Sequence, residues 1–275
     1  MKKILITCGP TNEYIDEVMK ITNMSTGRLG VELSRELSSR GHKITLICTR
    51  SVARGGLYER YGIANNPNVR TVQIETTEQM LQALTAEALE GNTYDLVVHA
   101  AAVGDYKPEF SFRMEDMAEE ILNKFNIELR WLIQNAKPGS EVCEADALKK
   151  ILLPTLTNPT CKVNDDTKIS SYEPNLTVKL GLTPKLISHL KEWFPGAILV
   201  GFKLLENVTK EHIIEVATKL CNKNDMDYII ANDLHDLRQG KHISYLCNKD
   251  GYCNFDFHSP DDIANKIISF VEENK

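Results

Sequence analysis

Apolar and polar positions along this chain follow two periods. Short runs rich in aliphatic and β-branched residues are typical of buried strands. Between these runs, apolar residues recur every three or four positions, as Leu29, Leu33 and Leu37 do before Gly41, and this spacing predicts helices. Strands that alternate with helices favour right-handed crossovers and a parallel sheet. The strands predicted in the first half are 2–8, 43–48, 69–75 and 95–103, and a helix is predicted at 77–90.

Regular patterning breaks between Lys107 and Lys168, where Met114–Trp131 reads as a helix and Pro and Asn clusters predict loops. We therefore expect an irregular, lid-like insertion at about 108–170. The later pattern predicts strands at Asn175–Leu180, Ile198–Phe202 and Tyr228–Ala231, helices at Thr183–Phe194 and Lys210–Lys223, a hairpin within 242–257, and a last helix capped by Ser259. The predicted fold class is α/β, with a doubly wound, mostly parallel, Rossmann-like sheet and a C-terminal β-hairpin in a single domain, 1–275.

Composition narrows the function classes. The 275 residues carry a net charge of −6, which argues against a nucleic-acid surface. No run approaches the roughly 18 apolar residues that span a bilayer, so we expect no membrane partner. Met1 leads into a strand without a signal-peptide pattern, and the seven cysteines form no Cys-x-x-Cys pair. We expect a cytoplasmic protein with reduced thiols.

The most informative stretch lies between the first strand and the first helix. It reads Gly9-Pro-Thr-Asn-Glu-Tyr-Ile-Asp16 and then Ile21-Thr-Asn-Met-Ser-Thr-Gly-Arg-Leu-Gly30. A polar, glycine-bearing loop before a helix N-terminus favours a bound anion. The glycines match neither Gly-x-x-x-x-Gly-Lys-Ser/Thr nor Gly-x-Gly-x-x-Gly. A phosphorylated ligand is expected here, held by a less common pattern.

Small residues end the fourth predicted strand, at Ala100–Val103, and Asp105 follows them. This pattern could bind a ligand, because small side chains let it approach the backbone and an Asp can accept hydrogen bonds from hydroxyl or amino groups. A tightly packed strand followed by an Asp that caps the next turn explains the pattern equally well. His99, inside that strand, reads as a core imidazole. Four lysines each read either as phosphate ligands or as solvated surface groups: Lys168, Lys185, Lys219 and Lys223.

Six segments in order resemble one family, the phosphopantothenoylcysteine synthetases (phosphopantothenate–cysteine ligases) of coenzyme A biosynthesis, in their free-standing bacterial form. The resemblance covers nearly the whole chain. The segments are Gly9-Pro-Thr-x-Glu-x-x-Asp16, Ile21-Thr-Asn-x-Ser-Thr-Gly-x-x-Gly30, Ala101-Ala-Val-x-Asp-Tyr106, Lys168-Ile-Ser-Ser171, Gly201-Phe-Lys-Leu204 and Ala231-Asn-Asp233.

The resemblance implies a two-step ligation. The carboxylate of 4′-phosphopantothenate attacks the α-phosphate of a nucleoside triphosphate, with Mg²⁺, and pyrophosphate leaves. L-Cysteine then displaces the nucleotide from the acyl-nucleotide. It also implies a homodimer, and a separate phosphopantothenoylcysteine decarboxylase that acts next. CTP is the favoured nucleotide. ATP stays open, because the segments Lys-Ile-Ser-Ser and Gly-Phe-Lys-Leu depart from the fused bacterial pattern and also occur in eukaryotic members.

Site residues are implied by the same resemblance, position by position. Asn23 and Lys168 are the expected catalytic residues, for acyl-nucleotide conversion and formation respectively. The substrate-binding set is Gly9, Asn23, Ser25, Thr26, Gly27 and Ala102. The nucleotide-binding set is Ala101, Asp105, Thr183, Pro184, Lys185, Leu186, Phe202, Lys219 and Lys223. No metal ligands are assigned.

Two other function classes fit a doubly wound sheet. A short-chain NAD(P)-dependent oxidoreductase needs a Gly-x-x-Gly-x-Gly loop and a Tyr-x-x-x-Lys pair, whereas Leu176 stands four residues after Tyr172. A non-catalytic nucleotide sensor would bind its ligand without needing Lys168. The ligase is the favoured interpretation.

Overall fold

The structure, a computed structural model, describes residues 1–136, 144–163 and 168–272. The strands in these ranges are β1 (Lys3–Cys8), β2 (Asn12–Tyr14), β3 (Lys20–Thr22), β4 (Lys43–Thr49), β5 (Val69–Ile74), β6 (Leu96–His99), β7 (Tyr106–Arg113), β8 (Lys162–Val163), β9 (Leu176–Leu182), β10 (Ile198–Leu205), β11 (Tyr228–Asp233), β12 (Ser244–Asn248) and β13 (Gly251–Phe257). The helices are α1 (Arg28–Ser39), α2 (Arg50–Ala53), α3 (Gly56–Arg60), α4 (Thr77–Leu89), α5 (Met114–Asn135), α6 (Glu144–Thr157), α7 (Leu190–Trp193), α8 (Lys210–Lys223), α9 (Leu234–Arg238) and α10 (Pro260–Glu272).

Eight strands form the main sheet, in the order β13-β12-β11-β10-β6-β1-β4-β5. From β5 to β11, neighbouring strands pair in parallel. Strand β12 then runs antiparallel to β11, and β13 runs antiparallel to β12. The predicted doubly wound, mostly parallel sheet with a C-terminal hairpin is confirmed.

Alternate side chains of the buried strands divide between two cores. Ile4 and Ile6 of β1 belong to the core that contains Leu33 of α1. Leu5, between them, belongs to the core that contains Met80 of α4. Because successive strand side chains point to opposite faces, helices cover both faces of this sheet. The apolar runs of the sequence arise from this double burial.

Chain contacts divide the molecule into two compact units. The first unit comprises residues 1–12, 22–105 and 183–275, and it contains the main sheet. The second unit comprises residues 13–21 and 106–182. In the second unit, β7 pairs antiparallel with β8 and with β9, and α5 packs along α6.

The structure corrects three sequence-based expectations. In the region expected to be irregular, Lys107–Lys168, α5 confirms the helix predicted at Met114–Trp131, but the described part also contains β7, α6 and β8, which were not predicted. The strand expected at 95–103 ends at His99. Thr183 does not begin a helix; a short 3₁₀ turn starts at Leu186 and α7 follows it.

Candidate functional site

Two loops at the carboxyl edge of the main sheet are joined through their backbones. The loop after β1 and the segment after β6 pair where the Ala102 N–H donates to the Gly9 carbonyl at 2.9 Å and the Thr11 N–H donates to the Ala102 carbonyl at 3.2 Å. The Gly104 N–H donates to the Thr11 hydroxyl at 2.8 Å. In doubly wound sheets ligands bind at this edge. Thr11 thus fixes the small-residue run in place, a role that the sequence did not reveal.

Glycine is required at two positions of this site. Gly9 and Gly27 have φ angles of 81° and 71°, in the left-handed region. A Cβ on Gly9 would lie 2.5 Å from Cγ2 of Val52, and one on Gly27 would lie 3.2 Å from the backbone nitrogen of Gly9. Any side chain would therefore force the loop away from the start of α1.

The segment just before α1 carries the two hydroxyl residues expected to bind substrate, Ser25 and Thr26. The Gly27 N–H donates to the Ser25 hydroxyl and the Arg28 N–H donates to the Thr26 hydroxyl, each at 3.4 Å. Gly27, which precedes α1, offers no side chain to cap the helix. Backbone N–H groups and small hydroxyls at a helix N-terminus suit an anionic group.

Asn23 lies beside the small-residue segment. Its Nδ2 donates to the Ala102 carbonyl at 2.9 Å. The adjacent Thr22 hydroxyl donates to the carbonyl of Thr11 at 3.0 Å. Three residues of the predicted substrate set, Gly9, Asn23 and Ala102, are thus brought together by hydrogen bonds.

A second group of predicted residues gathers around Asp105. Its carboxylate forms an ion pair with the Lys185 ammonium, and both side chains are largely exposed. The Thr183 N–H donates to the Asp105 carbonyl at 3.1 Å, and the Thr183 hydroxyl donates to the Gly104 carbonyl. Leu186 is buried in the core below. Thr183 therefore holds the start of this segment against Gly104 and Asp105, and the exposed groups there are the Asp105 carboxylate and the Lys185 ammonium.

The remaining nucleotide-set residues differ in their surroundings. Ala101 follows β6, and its N–H donates to the Thr7 hydroxyl at 3.4 Å. Phe202 of β10 is half-buried against the core that also contains Leu33. Lys219 forms an ion pair with Glu215 at 2.5 Å, and Lys223 is exposed at the end of α8, which leads to the amino end of β11. No hydrogen bond or ion pair in the described part of the chain joins either lysine to Asp105, so their assignment stays a prediction.

Lys168 belongs to the second unit, where its side chain is exposed. The next residue, Ile169, is buried, and its N–H donates to the Asp16 carboxylate at 3.0 Å. Asp16 also belongs to the second unit. Sequence reasoning placed Asp16 in a motif but gave it no role.

The core interpretation of His99 is confirmed. Its ring is buried, and its Nδ1 lies 2.8 Å from the Thr7 hydroxyl oxygen. Burial lowers the pKa of the imidazole to about 4, so the ring is neutral at physiological pH. His99 therefore supports the end of β6 and carries no charge to a ligand.

The described residues offer neither a metal cluster nor a membrane-spanning helix. They contain no group of three or more His, Cys, Asp or Glu side chains arranged to hold a metal ion. Among the helices of the described ranges, none is both long enough and apolar enough to cross a membrane. Cys143, one of the seven cysteines that form no Cys-x-x-Cys pair, lies outside the described residues.

Comparison with known families decides where the chain belongs. Residues 1–130 and 158–274 match the family described as DNA/pantothenate metabolism flavoprotein C-terminal domain. The chain belongs to this family. The family expected from the six sequence segments is thereby confirmed. The match omits residues 131–157, which include the last turn of α5 and all of α6.

Similar proteins carry coenzyme A names. The chain is 31% identical over 233 residues to the coenzyme A biosynthesis bifunctional protein CoaBC of Thermococcus kodakarensis, covering 85% of this chain and 41% of that protein. It is 26% identical to the same-named protein of Borreliella burgdorferi, covering 98% of this chain and 52% of that one. The chain thus spans about half the length of these curated relatives or less.

Solved structures agree on the fold. The DNA/pantothenate metabolism flavoprotein of Streptococcus pneumoniae superimposes with a TM-score of 0.73 at 29% identity, with all of both chains covered. A Cab2 variant, solved in complex with phosphopantothenate-cysteine, superimposes with a TM-score of 0.57 at 15% identity, covering 99% of this chain and 88% of that chain. The second likeness shows the fold alone.

Proposed function

We propose that this chain is a phosphopantothenate–cysteine ligase, which joins L-cysteine to 4′-phosphopantothenate at the expense of a nucleoside triphosphate. The observation that carries the proposal is the hydrogen-bonded meeting of Gly9, Asn23 and Ala102 beside the N-terminus of α1. Family membership and the coenzyme A names of the relatives support it. The Cab2 variant, a protein of the same fold, was solved in complex with phosphopantothenate-cysteine, the compound that this ligation would form.

The first step activates a carboxylate. An oxygen of the 4′-phosphopantothenate carboxylate forms a bond to the α-phosphorus, and the bond to the β-phosphate oxygen breaks, which releases pyrophosphate. Negative charge concentrates on the triphosphate as this happens, so ammonium groups stabilise the transition state. We assign this work to Lys168 and Lys185; Lys185 exchanges the Asp105 carboxylate for phosphate oxygens.

The second step forms the amide. The amine of L-cysteine attacks the acyl carbon and loses a proton, and the nucleoside monophosphate leaves with the electrons of the broken acyl C–O bond. Asn23 is held by its bond to the Ala102 carbonyl, which fixes its amide near the small-residue segment. A fixed amide stabilises developing charge on the acyl oxygen without reorganising. Gly9, Ser25, Thr26 and Gly27 are assigned to the substrate's phosphate, and we also propose a homodimer whose product passes to a separate decarboxylase.

Mg²⁺ fits this site as a companion of the nucleotide. In proteins Mg²⁺ keeps several waters and binds through one or two carboxylates plus substrate phosphates. The described residues offer no cluster of three ligands, but the exposed Asp105 carboxylate is suited to such a shared site. When bound, the ion neutralises phosphate charge.

Pyrophosphate release tests the proposal. Purified protein is given 4′-phosphopantothenate and Mg²⁺ with either CTP or ATP, with and without L-cysteine. We expect release that requires phosphopantothenate, and faster release with CTP than with ATP. Absence of release with both nucleotides contradicts the ligase, and NAD(P)H binding is then measured for the oxidoreductase alternative.

Matched lysine variants sharpen the test. Lys168→Gln should stop pyrophosphate release because the charge on the triphosphate is no longer balanced. Lys149→Gln is the control, since Lys149 is an exposed lysine of α6 and lies outside the family match. Wild-type release by Lys168→Gln would remove Lys168 from the mechanism and favour the nucleotide sensor.

A further inference from the structure

Asp16 is a buried carboxylate that organises a tight turn. It lies between β2 and β3, and only 8% of its surface is exposed. Its Oδ1 accepts hydrogen bonds from the backbone N–H groups of Val18 at 2.7 Å and Met19 at 2.6 Å. The Ile15 N–H closes the same turn on the Met19 carbonyl at 2.9 Å. One carboxylate oxygen thus satisfies two turn amides, as Asp side chains commonly do.

The other carboxylate oxygen reaches a segment far away in sequence. Oδ2 of Asp16 accepts the N–H of Ile169 at 3.0 Å. That N–H belongs to the peptide bond that joins Lys168 to Ile169. The Ile169 side chain is only 4% exposed, whereas the Lys168 side chain is exposed. The backbone on one side of Lys168 is therefore fixed by Asp16 while its ammonium stays free to reach a ligand.

The hydrogen bonds to Asp16 favour its ionised carboxylate. The backbone N–H of Met19, followed by that of Ile169, lowers the pKa of Asp16, and the Lys168 charge adds to the effect. An ionised carboxylate accepts from all three N–H groups without presenting a proton to any of them. Both partners of each bond belong to the second unit.

We propose that Asp16 is a positioning residue for Lys168, acting in the acyl-nucleotide-forming step through the Lys168–Ile169 peptide. The inference rests on the proposed function, since it gives Asp16 a purpose only where Lys168 has one. Asp16 itself contacts no reacting atom. Displacement of a catalytic group by about 1 Å costs up to a hundredfold in rate.

Asp16→Asn separates this bond from the turn. The amide oxygen can keep the two N–H groups of Val18 and Met19, while the amide NH₂ then faces the Ile169 N–H, donor against donor. The turn survives and the tie to Ile169 is lost. Asp262→Asn is the matched control, because Asp262 accepts the His258 N–H at 3.0 Å in a different part of the fold.

Rate measurements test the positioning role of Asp16. For Asp16→Asn we expect pyrophosphate release to fall by about tenfold to a hundredfold in kcat, with the KM for phosphopantothenate within about twofold. Amide formation from acyl-nucleotide supplied directly should keep its wild-type rate, which a general folding defect would not allow. Wild-type release by Asp16→Asn overturns the proposal.

Hydrogen exchange tests the bond between the Ile169 N–H and Asp16 independently of enzyme activity. The Ile169 amide should exchange at least about tenfold faster in Asp16→Asn than in the wild-type protein and in Asp262→Asn, because its acceptor is lost. Unchanged exchange overturns the proposal even if activity falls. If the wild-type protein releases no pyrophosphate, the proposed function fails by itself, and faster exchange still supports Asp16 as the residue that fixes Lys168.

Discussion

At the scale of single residues, burial decides what His99 contributes. The imidazole is enclosed at the end of β6, and burial lowers its pKa to about 4. In the unfolded chain the same ring has a pKa of about 6.5. Between these two values the unfolded chain binds more protons, so the free energy of unfolding rises with pH across this window and falls as the solution is acidified.

We predict the size of that dependence. Between pH 7 and pH 5, His99 should remove about 2 kcal/mol from the free energy of unfolding. Denaturant titrations of wild-type protein and His99→Gln at both pH values measure it, and the variant should lose about 2 kcal/mol less on acidification. Leu89→Gln, at a position that is 82% exposed and does not titrate, should retain the wild-type dependence. Equal losses in wild-type protein and His99→Gln would contradict a neutral buried ring.

At the scale of elements, α1 packs closely against β1 at one glycine of the helix, Gly30. A Cβ on Gly30 would lie 2.2 Å from Cβ of Cys8 and 3.4 Å from Cγ2 of Ile6. These neighbours belong to the central strand β1 and cannot move aside cheaply, because both are fully buried. The closeness of α1 to β1 therefore depends on the absence of a side chain.

Gly30→Ala should destabilise the protein by about 1–3 kcal/mol, the usual cost of overpacking. Gly56→Ala is the matched control, because a Cβ there meets no atom within 4 Å, and we expect a change of less than about 1 kcal/mol. Thermal and denaturant unfolding measure both. An unchanged free energy of unfolding for Gly30→Ala would mean that α1 shifts freely on the sheet.

The sequence pattern predicted those elements whose structure depends on neighbouring residues in the chain. Leu33 and Leu37 face the core as their spacing predicted, because an amphipathic helix on a sheet shows its period directly. Thr183 followed by Pro184 looks like a helix start, but Thr183 instead bonds to Gly104 and Asp105, which are distant in sequence. The site was predictable where a motif carried it, and the support from Thr11 and Asp16 was not, since it depends on tertiary hydrogen bonds.

The region 107–168 shows the same limit for strands. Strand β7 pairs with β9 across more than sixty residues, with Arg113 opposite Leu176. No feature of the neighbouring sequence indicates such a long-range strand pairing. Pro154 argued for a loop, yet it lies near the end of α6, and Pro108 stands next to a bulge in β7. Prolines at bulges and strand edges are compatible with a sheet.

At the scale of the whole molecule, the second unit exposes apolar side chains. On one face of α5, Ile127 and Trp131 are 68% and 55% exposed, and on α6 Leu153 is 68% exposed. Exposed apolar groups that recur on neighbouring helices mark a contact surface. Trp131 and Leu153 lie in the segment that the family match omits. We expect this surface to be covered by a second copy of the chain in the proposed homodimer.

Light scattering tests that expectation. The wild-type protein should have twice the 31.0 kDa mass of one chain, and Leu153→Glu should dissociate at higher concentrations than wild type, because a charge is then buried without a partner. Leu89→Glu, the same change at an 82% exposed leucine at the end of α4 in the first unit, should leave the dimer unchanged. A dimer that Leu153→Glu leaves equally stable is built on another surface, and a wild-type monomer contradicts the homodimer itself. If dissociated Leu153→Glu loses pyrophosphate release while its free energy of unfolding is retained, the active site needs both copies.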